Sequence, residues 1–199
     1  MRALPLALAL AAAGPAQAQT WTVSVDLLQE AMAVPTVRGA EILTPPLHPG
    51  LQAEVEARFF GGDRLSLGWA ERLGGFAHSE IASTAFLSAA PRLRLGLPGG
   101  LGLWLDPAEV GVGLRFPAGA RYELGEAGLA EGRDPPSVQH LVAAGLGLGW
   151  RPRDAAWGLR LSYRAGVLWP APDLYQVLSL PESTLGLGVS YTPRAEEAP

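Results

Sequence analysis

Between Trp157 and Trp169 every second side chain is apolar. Trp157, Leu159, Leu161, Tyr163, Ala165, Val167 and Trp169 share one parity; Gly158, Arg160, Ser162, Arg164 and Gly166 share the other. Successive side chains of a β-strand point to opposite faces. The segment therefore predicts a strand with one apolar face, an indole at each end, and an opposite face of small and cationic groups. Placed in a bilayer, the apolar face meets lipid, the tryptophans mark its two interfaces and the arginines point into a lumen. At ~3.3 Å per residue and a tilt of ~40° the two indoles stand roughly 30 Å apart, close to the ~25 Å apolar band of such walls.

The same rhythm recurs over 21–27, 51–59, 64–73, 87–97, 101–116, 138–151 and 185–191. In the third of these, Glu71 interrupts the apolar face. In the fifth, Leu101, Leu103 and Leu105 are odd while Val110, Val112, Leu114 and Phe116 are even, so a β-bulge at Asp106-Pro107 is predicted to flip the register. The expectation is an all-β fold, an eight-stranded antiparallel up-and-down transmembrane barrel. Connections alternate long and short, the short ones falling at Gly61-Gly62-Asp63, Pro98-Gly99-Gly100 and Arg153-Asp154. A soluble barrel has no reason to sort its loops this way, whereas an outer-membrane barrel has short periplasmic turns and long external loops.

Ahead of the first strand lies Arg2, then an apolar run over 3–13, then Ala16-Gln17-Ala18. That is the form of a cleaved export signal. The domain expectation is a signal peptide at 1–18, an outer-membrane barrel at 19–192 and a tail at 193–199, with the protein in the bacterial outer membrane. After the signal, no continuous apolar run reaches the ~18 residues of a membrane helix.

Composition narrows the chemistry. The 199 residues are 48% hydrophobic, which excludes a disordered chain. Cysteine is absent, removing disulfides, thiol nucleophiles and a lipid-attachment cysteine. A formal charge of −4 with no basic cluster gives no nucleic-acid footprint. No cofactor is expected. His48, His78 and His140 lack metal-ligand spacing.

By parity, Asp26, Glu54, Glu56 and Glu109 point inward with Arg58, Arg64, Arg92, Arg94, Arg115, Arg160 and Arg164. An eight-stranded interior is barely wide enough for its own side chains. Such charges must pair, because a buried unpaired charge is costly; the expectation is an ion-pair plug rather than an anion-selective pore. The expected interface aromatics are Trp21, Trp69, Trp150, Trp157, Tyr163, Trp169 and Tyr191. Trp104 falls inward with no evident reason. Gly145, Gly147 and Gly149 alternate within a strand, so they are read as letting the wall approach its lumen neighbours, not as a nucleotide loop.

His78-Ser79-Glu80 invites a hydrolase reading, but adjacent residues on a strand face opposite ways, so His78 cannot activate Ser79. The chain is read as non-enzymatic. The long loops, with Trp169-Pro170-Ala171-Pro172, Tyr175 and the acid-rich stretch 123–134, are equally a capping lid or a binding surface.

His48-Pro49-Gly50 before a strand, His78 in the second long loop, Leu146-Gly147-Leu148-Gly149-Trp150 and the closing Leu185-Gly186-Leu187-Gly188-Val189 carry a resemblance. The chain resembles the small eight-stranded outer-membrane barrels of the OmpA and OmpX type, and more closely a set of uncharacterised outer-membrane β-barrel proteins. The resemblance covers nearly all the mature chain and brings no catalytic residue. It implies outer-membrane lipids as surroundings and the barrel-assembly machinery as a partner in biogenesis, reading a last strand that ends on Tyr191. The function expected is structural or loop-mediated binding, with any external ligand unidentified. The rivals are an outer-membrane lipid-modifying acyl hydrolase and a soluble lipocalin-like carrier, whose apolar face would turn inward.

Overall fold

The computed structural model describes residues 20–36, 39–43, 49–77, 82–117, 121–125, 128–132, 135–152, 154–169 and 180–193. Eight strands form the wall: β1 (Thr20–Thr36), β3 (Pro49–Gly61), β4 (Leu65–Phe76), β5 (Ala82–Gly96), β6 (Leu101–Pro117), β9 (Ser137–Trp150), β10 (Trp157–Trp169) and β11 (Leu180–Tyr191). Each wall strand pairs antiparallel with its sequence neighbours in the wall, and β11 returns to β1 with Val25 opposite Val189, so the sheet closes. Closure leaves no wall edge exposed, the constraint that a hydrocarbon surrounding would impose.

The long connections hold structure that the alternation did not reveal. β1 runs on past its barrel partner and forms a hairpin with β2 (Gly39–Leu43) through Met32 to Thr36. Between β6 and β9, β7 (Arg121–Gly125) and β8 (Gly128–Gly132) form a separate two-stranded hairpin. Both lie at the end opposite the short turns. The short turns are stitched by main-chain bonds: Gly96 N–H donates to Arg64 O at 2.8 Å and Arg151 N–H to Gly100 O at 2.8 Å. Gly61 (φ 94°) and Gly99 (φ 77°) supply the left-handed conformations these turns need.

Burial follows the two-residue period around the wall. In β10 Leu159, Leu161, Tyr163 and Val167 are exposed while Arg160, Arg164 and Leu168 are buried. In β6 the period slips: the register shifts between Asp106 and Glu109, so Asp106 and Glu109 both point inward while Pro107 and Ala108 are exposed. Two residues of β6 there oppose one of β9, the signature of a bulge. Without that extra residue either Leu101–Leu105 or Val110–Phe116 would face the charged interior. The apolar exterior is continuous as a result; Val25, Leu51, Leu73, Leu114, Leu146 and Leu187 are all between 45% and 63% exposed.

The proposed signal segment, His48, His78-Ser79-Glu80, Pro170 to Tyr175 and the tail from residue 194 lie outside the described residues. Among the described residues no helix is long and apolar enough to cross a membrane, which says nothing of a barrel.

Candidate functional site: an ionic core inside the barrel

Strand alternation sends most of the charged side chains of the wall toward the axis, where neighbouring strands bring opposite charges within bonding distance. Glu54 on β3 is the hub. It accepts from Arg72 Nε at 2.8 Å, from Arg92 Nη1 at 2.6 Å and Nη2 at 3.0 Å, and from Arg160 Nη1 at 2.6 Å and Nη2 at 3.1 Å. Three guanidiniums thus converge on one carboxylate from β4, β5 and β10, tying opposite sides of the barrel together.

The bulge provides a second hub. Arg92 donates to Asp106 through Nε and Nη2, both at 2.8 Å, and Arg72 also donates to Asp106. Glu109 accepts from Arg72 Nη1 at 2.7 Å, Arg164 Nη1 at 3.0 Å and the Ser88 hydroxyl at 2.5 Å. Asp26 lies 3.1 Å from Arg160 Nε and accepts from Gln52 Nε2 at 3.1 Å. Charge-assisted bonds of this kind are the strong ones, and each guanidinium presents its donors in a fixed fork.

The remaining candidates divide by depth. Glu56 is buried and accepts from Arg92, but its other partners, Arg58 and Arg94, are half-buried near the short-turn end. Arg115 is buried on β6 toward the loop end. Arg64 departs from the expectation: it sits in the turn before β4 and is exposed, because the strand begins one residue later. Arg72 and Asp106, absent from the sequence candidates, are both central. Arg72 lies on the inward parity of β4, and Asp106 on the inward parity of Leu101–Leu105, so the face rule itself carried the signal.

Trp104 lies inside with the guanidiniums of Arg160 and Arg92 at 4.9 Å and 5.2 Å from its ring centre. Its indole occupies the space that the bare face of Gly147 leaves on β9. Cation–π contact in a desolvated interior accounts for an inward tryptophan among arginines. Toward the loops the interior turns apolar, with Leu28, Phe76 and Phe86 clustered and Arg164 over the Phe86 ring at 4.8 Å. A residual cavity bounded by Gln52, Arg72, Asp106, Arg160 and Arg164 has a volume of about 20 Å³, room for roughly one water.

The outward aromatics gather at two levels. Trp157 meets Tyr191 with ring centres 4.8 Å apart at the short-turn end, where Trp21 and Trp150 are also exposed; Trp69, half-buried, lies on the same half of the wall. Trp169 stacks on His140 at 5.9 Å at the loop end. Tyr163 belongs to neither level: it stands midway between the two indoles of β10, opposite Leu146 and Leu185. Among the described residues no group of His, Asp and Glu is arranged to hold a metal.

Fold and charge distribution together define a closed eight-stranded barrel with an apolar exterior and an ionic interior. No family model and no curated protein matches the sequence. Among solved structures the chain is similar to Neisserial surface protein A (12% identity, TM-score 0.49, covering 86% of this chain and 96% of that one). It is also similar to Ail, the attachment invasion locus protein of Yersinia pestis (14% identity, TM-score 0.47, 89% and 100%). A third is the outer membrane protein OprG from Pseudomonas aeruginosa (10% identity, TM-score 0.43, 90% and 98%). The strand count and closure come from this chain's own register.

Proposed function

We propose that this chain is a bacterial outer-membrane barrel whose wall stands in lipid, whose lumen is closed by its arginine–carboxylate network, and whose activity is non-enzymatic binding or structural support at the loop end. The observation that carries the reading is the polarity of the wall. Large aliphatic and aromatic side chains are exposed on every wall strand, while Asp26, Glu54, Asp106 and Glu109 are at most 1% exposed. A soluble barrel with that exterior would present apolar surface far beyond the few hundred Å² a monomer tolerates. A lipocalin-like carrier needs the opposite arrangement, with its apolar face around a cavity.

Closure is supported by the bonding census. The described lumen carboxylates each hold at least one guanidinium, and the cavity that lies among them has room for roughly one water. The same engagement favours a structural role for these charges over a catalytic one. We extend the proposal to residues 1–18 as a cleaved export signal and to β11 as the strand recognised by the barrel-assembly machinery. The test is reconstitution: refolded protein should float with liposomes after an alkaline carbonate wash, and planar bilayers containing it should show no sustained conductance. Carbonate-soluble protein contradicts the membrane wall, and steady open channels contradict the closed lumen.

A further inference from the structure

Charge inside the barrel is not balanced along its length. In the middle, Arg72, Arg92, Arg160 and Arg164 face Asp26, Glu54, Asp106 and Glu109, and the charges match one for one. Toward the short turns the match fails. Glu56 accepts there from Arg58 Nε at 3.0 Å and Arg94 Nη1 at 3.1 Å, and it must also serve Arg92 at 2.9 Å. Arg151, half-buried just past the end of β9, makes no side-chain hydrogen bond or ion pair among the described residues. Both Nη groups of Arg58, Nε and Nη2 of Arg94 and the whole Arg151 fork therefore lack an acceptor among those residues. The charge of Arg58 acts on Arg94 and Arg151 alike. Burial and that like charge hold the Arg151 guanidinium below its ordinary pKa, and Asp63 and Glu56 offset this only in part. Asp63 and Arg64 are exposed in one turn and cancel in the count; Asp154, exposed in the next, has a partner of its own. There is also room. A side chain at Gly102 or Gly149 would lie within 4 Å of the Arg94 guanidinium, and one at Gly158 would lie 3.1 Å from the Arg151 Cβ. Bare strand faces beside the arginines thus leave a bowl floored by Trp104, and water reaches it, since the Arg58 and Arg94 side chains are 20% and 24% exposed.

We propose that this mouth of the barrel binds a phosphate group, free or carried by a small solute, between Arg58, Arg94 and Arg151. With Glu56 as their one close carboxylate, the three guanidiniums leave an excess of two positive charges. A phosphate monoester carries about two negative charges and three acceptor oxygens, which matches both the excess and the idle donors. The arginines come from β3, β5 and the end of β9, so the acceptor must offer oxygens on several sides. A tetrahedral phosphate does this; a planar carboxylate with two oxygens does not. Guanidinium forks also meet phosphate through paired bonds, and a cleft lined by one sign of charge concentrates its counter-ion. The wall separates the bowl from the surrounding bilayer, which favours a phosphate arriving through water over a lipid headgroup. In the outer-membrane reading this end faces the periplasm, but the bowl itself requires only the folded barrel.

The test is calorimetric titration of the full chain, refolded in maltoside micelles that carry no phosphate, with the heat-modifiable gel shift confirming the fold of every sample. Inorganic phosphate, acetate and chloride are compared at constant ionic strength. The expected result is saturable binding of phosphate, about tenfold or more tighter than acetate or chloride. Arg94→Gln and Arg151→Gln should each weaken it by about tenfold or more, since each removes a charge-assisted contact. Arg121→Gln removes the same charge from β7, at the loop end, and should leave the affinity unchanged. Without phosphate, Arg151→Gln should unfold at the same or a higher urea concentration, because it relieves the repulsion from Arg58; an arginine with a structural role would give a lower one. Adding a lipid with a phosphate headgroup should leave the affinity unchanged. Competition by that lipid, lost in Arg151→Gln, would name the headgroup as the source and uphold the phosphate site. No saturable binding by folded protein, acetate or chloride as tight as phosphate, an equal loss in Arg121→Gln, or a lower urea midpoint for phosphate-free Arg151→Gln overturns it.

Discussion

Trp104 on β6 and Gly147 on β9 are direct cross-strand partners that share one space: a Cβ on Gly147 would overlap the six-membered ring of the indole. The glycine admits the tryptophan to the lumen, where it lies beneath the Arg92 and Arg160 guanidiniums. A valine at 147 forces that ring to move, and overpacking of this sort costs about 1–3 kcal/mol. Gly147→Val should therefore lower the urea midpoint and shift the tryptophan emission. Gly145→Ala should do neither, because no neighbour comes within 3.4 Å of a Cβ there. Equal tolerance of both variants would mean that Trp104 does not occupy the lumen beside Gly147.

Glu54 and Glu56 point the same way from one strand but differ in what they hold. Glu54 joins three guanidiniums that are nearly fully buried; two of the three held by Glu56, those of Arg58 and Arg94, still meet solvent. Neutralising the hub in Glu54→Gln leaves buried positive charge uncompensated, at a cost of about 3–5 kcal/mol. Glu56→Gln should cost about 1.5–3 kcal/mol, since water replaces part of what is lost. Urea unfolding in lipid vesicles checks the order, and a larger loss at Glu56 would contradict the placement of the hub.

Glu109 tests the bulge. It faces inward only because β6 carries an extra residue, and there it holds Arg72, Arg164 and Ser88. Glu109→Leu removes an acceptor from both arginines, so a destabilisation of about 3–5 kcal/mol is expected. The readouts are the heat-modifiable gel shift and the urea midpoint. Were Glu109 on the lipid face instead, leucine would leave both unchanged or raise them.

The wall was legible in the sequence because a barrel strand obeys one rule, a period of two, and a break in that rule between Leu105 and Val110 points to its own cause. The same rule places Arg72 on the inward face, yet the convergence of Arg72, Arg92 and Arg160 on Glu54 depends on which strands face one another across the axis. Parity along a strand carries no information on that. Asp106 enters the sequence reading only as part of the bulge at Asp106-Pro107, although its side chain is a hub of the interior. Arg64 shows the limit at strand ends, where one residue decides between lumen and turn. The hairpins of β2 and of β7 with β8 escaped because five-residue segments such as Gly39–Leu43 and Gly128–Gly132 are too short for a clear alternation. The role of Trp104 was hidden for a related reason: its explanation lies on β9, at Gly147.

The account turns on the direction of one face. Trp157 and Trp169 bracket β10 on its outward side, at 61% and 53% exposed, and at least four of the six tryptophans of the chain face outward. Refolded protein in bilayers carrying quenchers at defined depths along the acyl chain measures that direction. Strong quenching is expected, greatest for labels near the two interfaces and weaker for those at the bilayer centre. Fluorescence indifferent to every lipid-borne label, with quenching by a water-soluble agent instead, would place the apolar wall outside the membrane and contradict the account.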